Sequence, residues 1–418
     1  MTATIFIAYL LVLGASYCLK YLNLSHLKTH GHRVPPEFLG VVDESALRKI
    51  SDYTFDNSRV GMVESVIDNV VLVLFLFVGL IACYDRWIAS LTGSFVWGGV
   101  FFFLVLLAFD TVMDIPFSLY RNFIIENRYG FNTMTVKLWL TDLAKTIAIS
   151  TVFGAVVIVS ALSIIQVSPE WWWLQVWAFL LVFGIFVMYI SPYVIEPLFF
   201  KFEPLAVEGL EEKIRTLMGK AGLAVSRVFQ VDASRRSRHS NAYFTGIGRV
   251  KRIVLFDTLI QQMTQEELLA VLAHEVGHWK KRHVLKRIAL SEAAAFAGLF
   301  LASRLLRWEG LPGLLGLGEL SFYGRVIILG FLGSIILFPL TPLSSFLSRR
   351  DEWEADRFAS DLAENPGAMA SALVKLSKEN LSNLHPHPLY AKFYYSHPPV
   401  VERIRKLRNR RQETVDSR

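Results

Sequence analysis

The stretch VLAHEVGHW, from Val271 to Trp279, places two histidines four residues apart, with a glutamate directly after the first. Four residues make a little over one helical turn, so the rings of His274 and His278 leave the same face and can share one metal ion. Zinc suits two imidazole ligands, and Glu275 lies to one side, where it can take a proton from a zinc-bound water. The alternative is a pair of hydrogen-bonded histidines on a polar helix face. The pattern favours one Zn²⁺ per chain.

The residues before this motif predict where its helix begins. Thr264 and Glu267 have the spacing of a capping box, and the apolar run 268–272 follows directly. We therefore expect both histidines to lie well inside a helix.

The composition is that of a polytopic membrane protein. Of 418 residues, 53% are hydrophobic, including 31 Phe and 10 Trp, and the mean hydropathy is +0.41. The net charge of +7 raises the possibility of nucleic-acid binding, but no soluble basic domain with interleaved aromatic residues stands apart from the apolar runs, so we predict no nucleic-acid partner. Cys18 and Cys83 both lie in apolar runs, which excludes a disulfide framework and a cysteine-based zinc site.

Seven apolar stretches reach the length of about twenty residues that a helix needs to cross a bilayer. They run over approximately 4–23, 66–85, 95–115, 146–166, 171–191, 288–306 and 324–345. Almost all Lys and Arg residues fall on one side of this arrangement, and the other side has only Arg86, Arg304, Arg307 and Arg325. By the positive-inside rule the basic side is cytoplasmic.

The predicted fold is mainly α-helical, with seven transmembrane helices and a small β-sheet on the cytoplasmic side. Residues 1–191 hold five spans, 192–287 form a polar segment with the zinc helix, 288–345 hold two more spans, and 346–418 form a second polar segment. Acidic residues lie in or at the edges of several spans, which is compatible with a wet internal chamber or with an ion path. They are Asp68, Asp110, Asp114 and Glu292.

The polar segment before the zinc helix predicts a helix over 210–222 and strands over 225–231, 241–245 and 252–256, with a turn at Gly246 to Gly248. An exposed strand edge formed by Asn241, Ala242, Tyr243 and Phe244 could pair with an extended peptide substrate and present it to the metal. The alternative is an ordinary strand with no role in binding.

Two histidines leave zinc short of a third protein ligand. The candidates lie in the acidic stretch 348–358, where Glu352 and Asp356 are four residues apart. One carboxylate could bind the metal while the other accepts the ring N–H of a liganding histidine. By spacing alone, Glu354 or Asp351 could be the ligand instead. Further along, His397 or Arg403 could stabilise the oxyanion of a hydrolytic intermediate, or be structural.

Five stretches together resemble the type I CAAX prenyl endopeptidase family of integral-membrane zinc metalloproteases. They are residues 126–132, 235–246, 274–279, 348–359 and 396–403. The resemblance implies a chamber enclosed by the seven helices and a zincin-like site on the cytoplasmic side.

The same resemblance implies a role for each candidate residue. Zinc would be bound by His274, His278 and Glu352, with Glu275 as general base and Asp356 supporting a ligand. His397 and Arg403 would assist the intermediate or hold substrate, and residues 241–244 would form the substrate-pairing edge.

The short connection between the sixth and seventh spans resembles bacterial members more than the longer eukaryotic ones. The sequence therefore indicates a bacterial inner membrane, or the endoplasmic reticulum if the source is eukaryotic. Three functions follow from the residues. The first is hydrolysis of a peptide or protein substrate that carries a prenyl group; the second is quality-control proteolysis of unmodified membrane proteins; the third is transport, with the histidine pair regulatory.

Overall fold

The computed structural model describes residues 1–245, 250–363 and 366–416, and the turn predicted at Gly246 to Gly248 lies outside them. Eight α-helices come before the first strand. The first seven are α1 (Thr2–His30), α2 (Glu44–Leu76), α3 (Leu80–Leu91), α4 (Phe95–Tyr120), α5 (Glu126–Tyr129), α6 (Val136–Val167) and α7 (Trp172–Ile190). π-helical turns at Arg121–Ile125 and Ser191–Ile195 extend α4 into α5 and α7 into α8 (Glu196–Phe199).

The helices that follow belong to the two polar segments and the last two spans. They are α9 (Leu210–Lys220), α10 (Asp257–Gln262), α11 (Gln265–Lys280), α12 (His283–Leu305), α13 (Phe322–Leu337), α14 (Thr341–Ala363), α15 (Pro366–Glu379), α16 (Pro388–Tyr394) and α17 (Val400–Asp416).

Six continuous helical stretches in the described residues are long and apolar enough to cross a membrane. A seventh is obtained by counting α2 and α3 as one broken span, since they meet at an angle of 67°. The second span, predicted over approximately 66–85, is therefore broken between Leu76 and Leu80. Gly79 adopts φ of +89° at the break, a conformation that glycine takes without steric cost and that ends one helix before the next begins.

The polar segment folds into a four-stranded mixed sheet. Its strands are β1 (Phe202–Pro204), β2 (Ala224–Val231), β3 (Ala242–Thr245) and β4 (Val250–Phe256), in the order β1-β2-β4-β3. The pair β2 and β4 is parallel and the other two pairs are antiparallel. Strand β3 therefore lies at the edge of the sheet, as the sequence predicted for residues 241–245.

Helix α11 packs its apolar face onto this sheet. Leu272, Ala273 and Val276 are fully buried in one cluster with Ile253 and Leu255 of β4. Helix α11 also contacts α14, and Gly277 makes the close approach possible. A Cβ atom at Gly277 would lie 2.9 Å from the Cα of Ala355. The two helices that carry the predicted metal ligands are thus held side by side.

Candidate metal centre

The structure brings His274 and His278 of α11 together with Glu352 of α14. One possible ligand atom from each residue lies within 4.8 Å of the others, and this is the only such group of three or more among the described His, Cys, Asp and Glu residues. Helix α11 begins as predicted, because Thr264 and Glu267 form both hydrogen bonds of a capping box. The histidines consequently lie in regular helix and leave the same face.

The spacing of these atoms fits a tetrahedral metal ion. The Nε2 atoms of His274 and His278 are 3.2 Å apart, and the carboxylate of Glu352 lies 3.3 Å from the first and 3.1 Å from the second. Bonds of about 2.0–2.1 Å in a tetrahedral zinc site put neighbouring ligand atoms roughly 3.3 Å apart. In addition, Oε2 of Glu352 is buried without a hydrogen-bond partner, as expected for an oxygen that binds a cation.

Asp356 fixes the proton of His274. Its Oδ1 lies 2.9 Å from Nδ1 of His274, so Nδ1 carries the hydrogen and Nε2 keeps its lone pair. Burial alone would lower the pKa of His274, but the neighbouring carboxylates of Asp356 and Glu352 outweigh burial and raise the pKa to about 9. The two carboxylates therefore favour positive charge at the imidazole, and a metal ion would take the place of a proton at Nε2.

His283 fixes the proton of His278 in the same way. The sequence analysis did not predict a role for His283. Nε2 of His283 lies 3.2 Å from Oε2 of Glu354, which can only accept, so this nitrogen donates. Nδ1 of a neutral His283 then accepts from Nδ1 of His278, 3.1 Å away, and Nε2 of His278 is left free. Burial lowers the pKa of His283, in keeping with the neutral form. Its one signal in the sequence is its position five residues after His278.

The three carboxylates that spacing alone could not separate have different partners. Glu352 faces the two imidazoles, whereas Glu354 accepts from His283 and Asp351 accepts from Arg287 at 3.3 Å. Burial would raise the pKa of Glu352, but the neighbouring imidazoles of His274 and His278 and the charge of Arg403 hold it far below its usual range. Glu352 is therefore ionised at neutral pH.

Arg403 is buried beneath the site and is held by Asp356. Its Nε and Nη2 donate to the two carboxylate oxygens of Asp356 at 2.9 and 2.6 Å. Burial would raise the pKa of Asp356, but the charge of Arg403 and the hydrogen bond with His274 lower it to about 2. Arg403 and Asp356 thus form a bidentate ion pair behind His274.

His397 is exposed beside Glu352, and Glu275 is less exposed. The side chain of His397 is 62% exposed, and its Nε2 lies 3.3 Å from Oε1 of Glu352. Glu275 is half-buried, and burial raises its pKa, which makes its carboxylate a better proton acceptor.

The edge strand lies against the same helix. Phe244 packs on the cluster that contains Ala273 and Val276 of α11. The backbone N–H of Phe256 donates to the carbonyl of Asn241, and Ala242 pairs with Leu255.

Such a group of potential metal ligands on the helices of an apolar membrane scaffold is typical of an integral-membrane metallopeptidase. Comparison with known proteins makes the assignment specific. The family description "CAAX prenyl protease N-terminal, five membrane helices" matches residues 23–201, and "Peptidase family M48" matches residues 204–411. The chain belongs to peptidase family M48.

Relatives cover nearly the whole chain. The CAAX prenyl protease 1 homologue of Arabidopsis thaliana is 34% identical over 90% of both chains. The Homo sapiens homologue is 31% identical over 92% of this chain and 90% of its own. A crystal structure of S. mikatae Ste24p superimposes with a TM-score of 0.88 at 29% identity, covering 96% of this chain and 97% of that one. The predicted family and fold class are confirmed.

Proposed function

We propose that this chain is a zinc-dependent endopeptidase that cleaves prenylated proteins near their C-terminus. The observation that best supports zinc binding is the spacing of His274, His278 and Glu352, whose possible ligand atoms are 3.1–3.3 Å apart. The substrate class is supported by the relatives, which are described as CAAX prenyl proteases.

His274, His278 and Glu352 would hold the zinc ion, with Asp356 and His283 keeping both Nε2 lone pairs available. Zinc in this position would lower the pKa of a water to about 7 and polarise the scissile carbonyl. Glu275 accepts the proton of the attacking water and delivers it to the leaving amine, a task for which its raised pKa is suited.

The two residues predicted to stabilise the intermediate have separate tasks. Arg403 is buried and donates two hydrogen bonds to Asp356, so it acts as a positioning residue for His274. His397 is exposed on the side of Glu352, where its ring can donate to the negative charge that develops on the carbonyl oxygen. We therefore assign the catalytic role to His397 and not to Arg403.

The edge strand supplies the hydrogen bonds that would hold the peptide. Since Asn241 pairs with Phe256, the backbone groups of Asn241 and Tyr243 face β4, and those of Ala242 and Phe244 face the free edge. The N–H of Ala242 donates to Oδ1 of its neighbour Asn241 at 2.8 Å. A carbonyl of an incoming substrate strand would replace this oxygen as the acceptor. The side chain of Asn241 therefore satisfies the N–H of Ala242 until a substrate binds.

The test of the chemistry is Glu275→Gln. Because Glu275 is not among the proposed ligands, the variant should keep stoichiometric zinc and lose cleavage by at least about a hundredfold. Glu266→Gln is the matched control, since Glu266 is exposed on the same helix. Normal cleavage by Glu275→Gln would show that another group is the base.

The test of the substrate class compares one reporter peptide with and without a farnesyl group, in wild type and in Glu275→Gln. A large preference for the farnesylated peptide supports a prenyl protease. Equal cleavage would instead indicate proteolysis of unmodified membrane proteins. Loss of cleavage on treatment with phenanthroline would argue against a transporter in which the histidine pair is regulatory.

We also propose that the metal centre faces the cytoplasm, because the Lys and Arg residues are concentrated on its side of the spans. Accessibility of single cysteines introduced into α17 and into the connection between α12 and α13 would test this orientation in intact cells. Whether the membrane is a bacterial inner membrane or the endoplasmic reticulum stays a prediction.

A further inference from the structure

A basic pocket lies where two membrane helices meet the cytoplasmic sheet, away from the metal centre. Its volume is about 570 Å³, and it lies between the first turns of α6, the end of α8 and strand β1. The residues that line it are Leu138, Lys145, Pro197, Leu198, Phe199, Phe200, Lys201, Phe202, Arg235, Arg236 and Arg252. The lining therefore combines five cations with three phenylalanines.

The pocket is at the level where the membrane ends. Candidate spans cover Val136–Val167 and Trp172–Phe199, so the first begins and the second finishes beside the pocket. Tyr189 and Tyr193 on the same helical stretch are 58% and 60% exposed and contact each other. Exposed tyrosines of this kind are typical of the headgroup level of a bilayer.

The cations outnumber the carboxylates that neutralise them. Lys145 and Arg236 share Asp142, Lys201 pairs with Glu203, and Arg235 pairs with Asp232. No described carboxylate lies within salt-bridge distance of Arg252, which instead donates to the carbonyl of Pro192 and stacks over Phe202 and Phe229. The pocket thus keeps a net positive charge.

Two guanidinium groups in the lining also retain unused donors. Nη1 of Arg236 and Nε of Arg252 are buried without a hydrogen-bond partner. A buried charged donor without an acceptor is costly, so an acceptor-rich anion would relieve both sites. Phosphate offers several charged oxygens and matches the geometry of arginine.

We propose that this pocket binds the phosphate group of an anionic lipid in the leaflet on the side of the metal centre. The cations would contact the phosphate, while the phenylalanines contact the glycerol and the first methylenes of the acyl chains. The same phosphate chemistry could come from free phosphate in solution, but a pocket at the headgroup level and lined with aromatic rings favours the lipid.

The experiment uses the full chain in nanodiscs of phosphatidylcholine, with and without about a tenth of phosphatidic acid, and measures binding of a fluorescent phosphatidic acid. The test variant is Lys201→Gln/Arg235→Gln. These two side chains are 70% and 61% exposed, so their removal should leave the fold intact, which the unfolding temperature in phosphatidylcholine discs checks. The control variant is Lys137→Gln/Lys392→Gln, which removes equal charge from exposed positions on the same side.

We expect the test variant to bind the labelled lipid about tenfold or more weakly, since each cation near a headgroup contributes a several-fold gain in affinity. The control should change binding less than threefold. Equal binding by both variants would overturn the proposal. So would displacement of the labelled lipid by millimolar inorganic phosphate, because that would identify a site for the free anion. If the double variant fails to fold, Lys201→Gln alone should weaken binding several-fold, and unchanged binding would again count against the site.

Discussion

Gly277→Ala should disrupt the proposed metal centre without altering any of the three proposed ligands. Gly277 lies between Glu275 and His278 on α11, where α11 and α14 approach most closely. An added Cβ would meet the backbone of Ala355 at 2.9 Å from Cα and 3.0 Å from the carbonyl oxygen, and its Cβ at 3.2 Å. Backbone atoms of a buried helix cannot move aside independently, so the two helices must separate.

The size of the shift follows from contact distances. Carbon atoms pack at about 3.5–4.0 Å, so the helices must move apart by about 0.6–1 Å. Ligand distances in a metal site tolerate only about 0.2 Å, and Glu352 is three positions before Ala355 on α14. We therefore expect metal affinity to fall at least about tenfold. Stability should fall by at most about 2 kcal/mol, because overpacking costs about 1–3 kcal/mol and alanine regains about 1 in a helix.

The assay measures zinc content after dialysis against a graded series of chelator concentrations, together with cleavage of a reporter peptide. Gly219→Ala is the matched control, since Gly219 is also helical and a Cβ there meets nothing within 4 Å. The control should keep its zinc at the same chelator concentration as wild type. If Gly277→Ala also kept its zinc and cleaved at the wild-type rate, close packing of α11 on α14 would not be what positions Glu352.

Two further predictions concern the surroundings of the ligands. Asp356→Asn and His283→Leu should each weaken zinc binding roughly 10–100-fold in a chelator competition, because each removes the group that orients a histidine. The control is Asp361→Asn, which should have no effect because Asp361 is exposed on the same helix as Asp356. Burial opposes ionisation of Glu267, but Lys375, Ser371 and the capping N–H outweigh it and lower its pKa. Its contribution to stability is therefore complete above about pH 4.3 and is lost as the pH falls through the lowered pKa. The difference in unfolding temperature between wild type and Glu267→Gln should accordingly shrink below about pH 4.3, and a constant difference would refute this.

Local sequence patterns were sufficient to predict helix α11, which carries His274 and His278, and most of the small sheet. The capping box, the apolar run and the four-residue histidine spacing are all short-range features, and the structure forms each of them. Strands β2 and β4 also agree with the predicted ranges within two residues. Strand β1, of only three residues, carries too few side chains to show an alternating pattern.

Contacts between residues far apart in the chain could not be predicted from the sequence. Asp351, Glu352 and Glu354 lie on one helical turn and are chemically alike, so only the packing of α14 decides which faces the histidines. That packing depends on the close contact between Gly277 and Ala355, two residues that are 78 positions apart in the chain. The break at Gly79 was missed for a related reason, because a single glycine in an apolar run is compatible with either a straight or a bent span.

The position of Glu352 links the proposed metal centre to the membrane helices. The chain leaves α11, crosses the membrane in α12 and returns through the helical stretch Phe322–Leu362, which includes both the last span and Glu352. Because this stretch is helical throughout, a tilt of the span within the bilayer would move the carboxylate relative to α11. The cluster of Leu272 and Val276 on the sheet and the contact at Gly277 oppose such a movement. The proposed metal centre should therefore respond to perturbation of the last span.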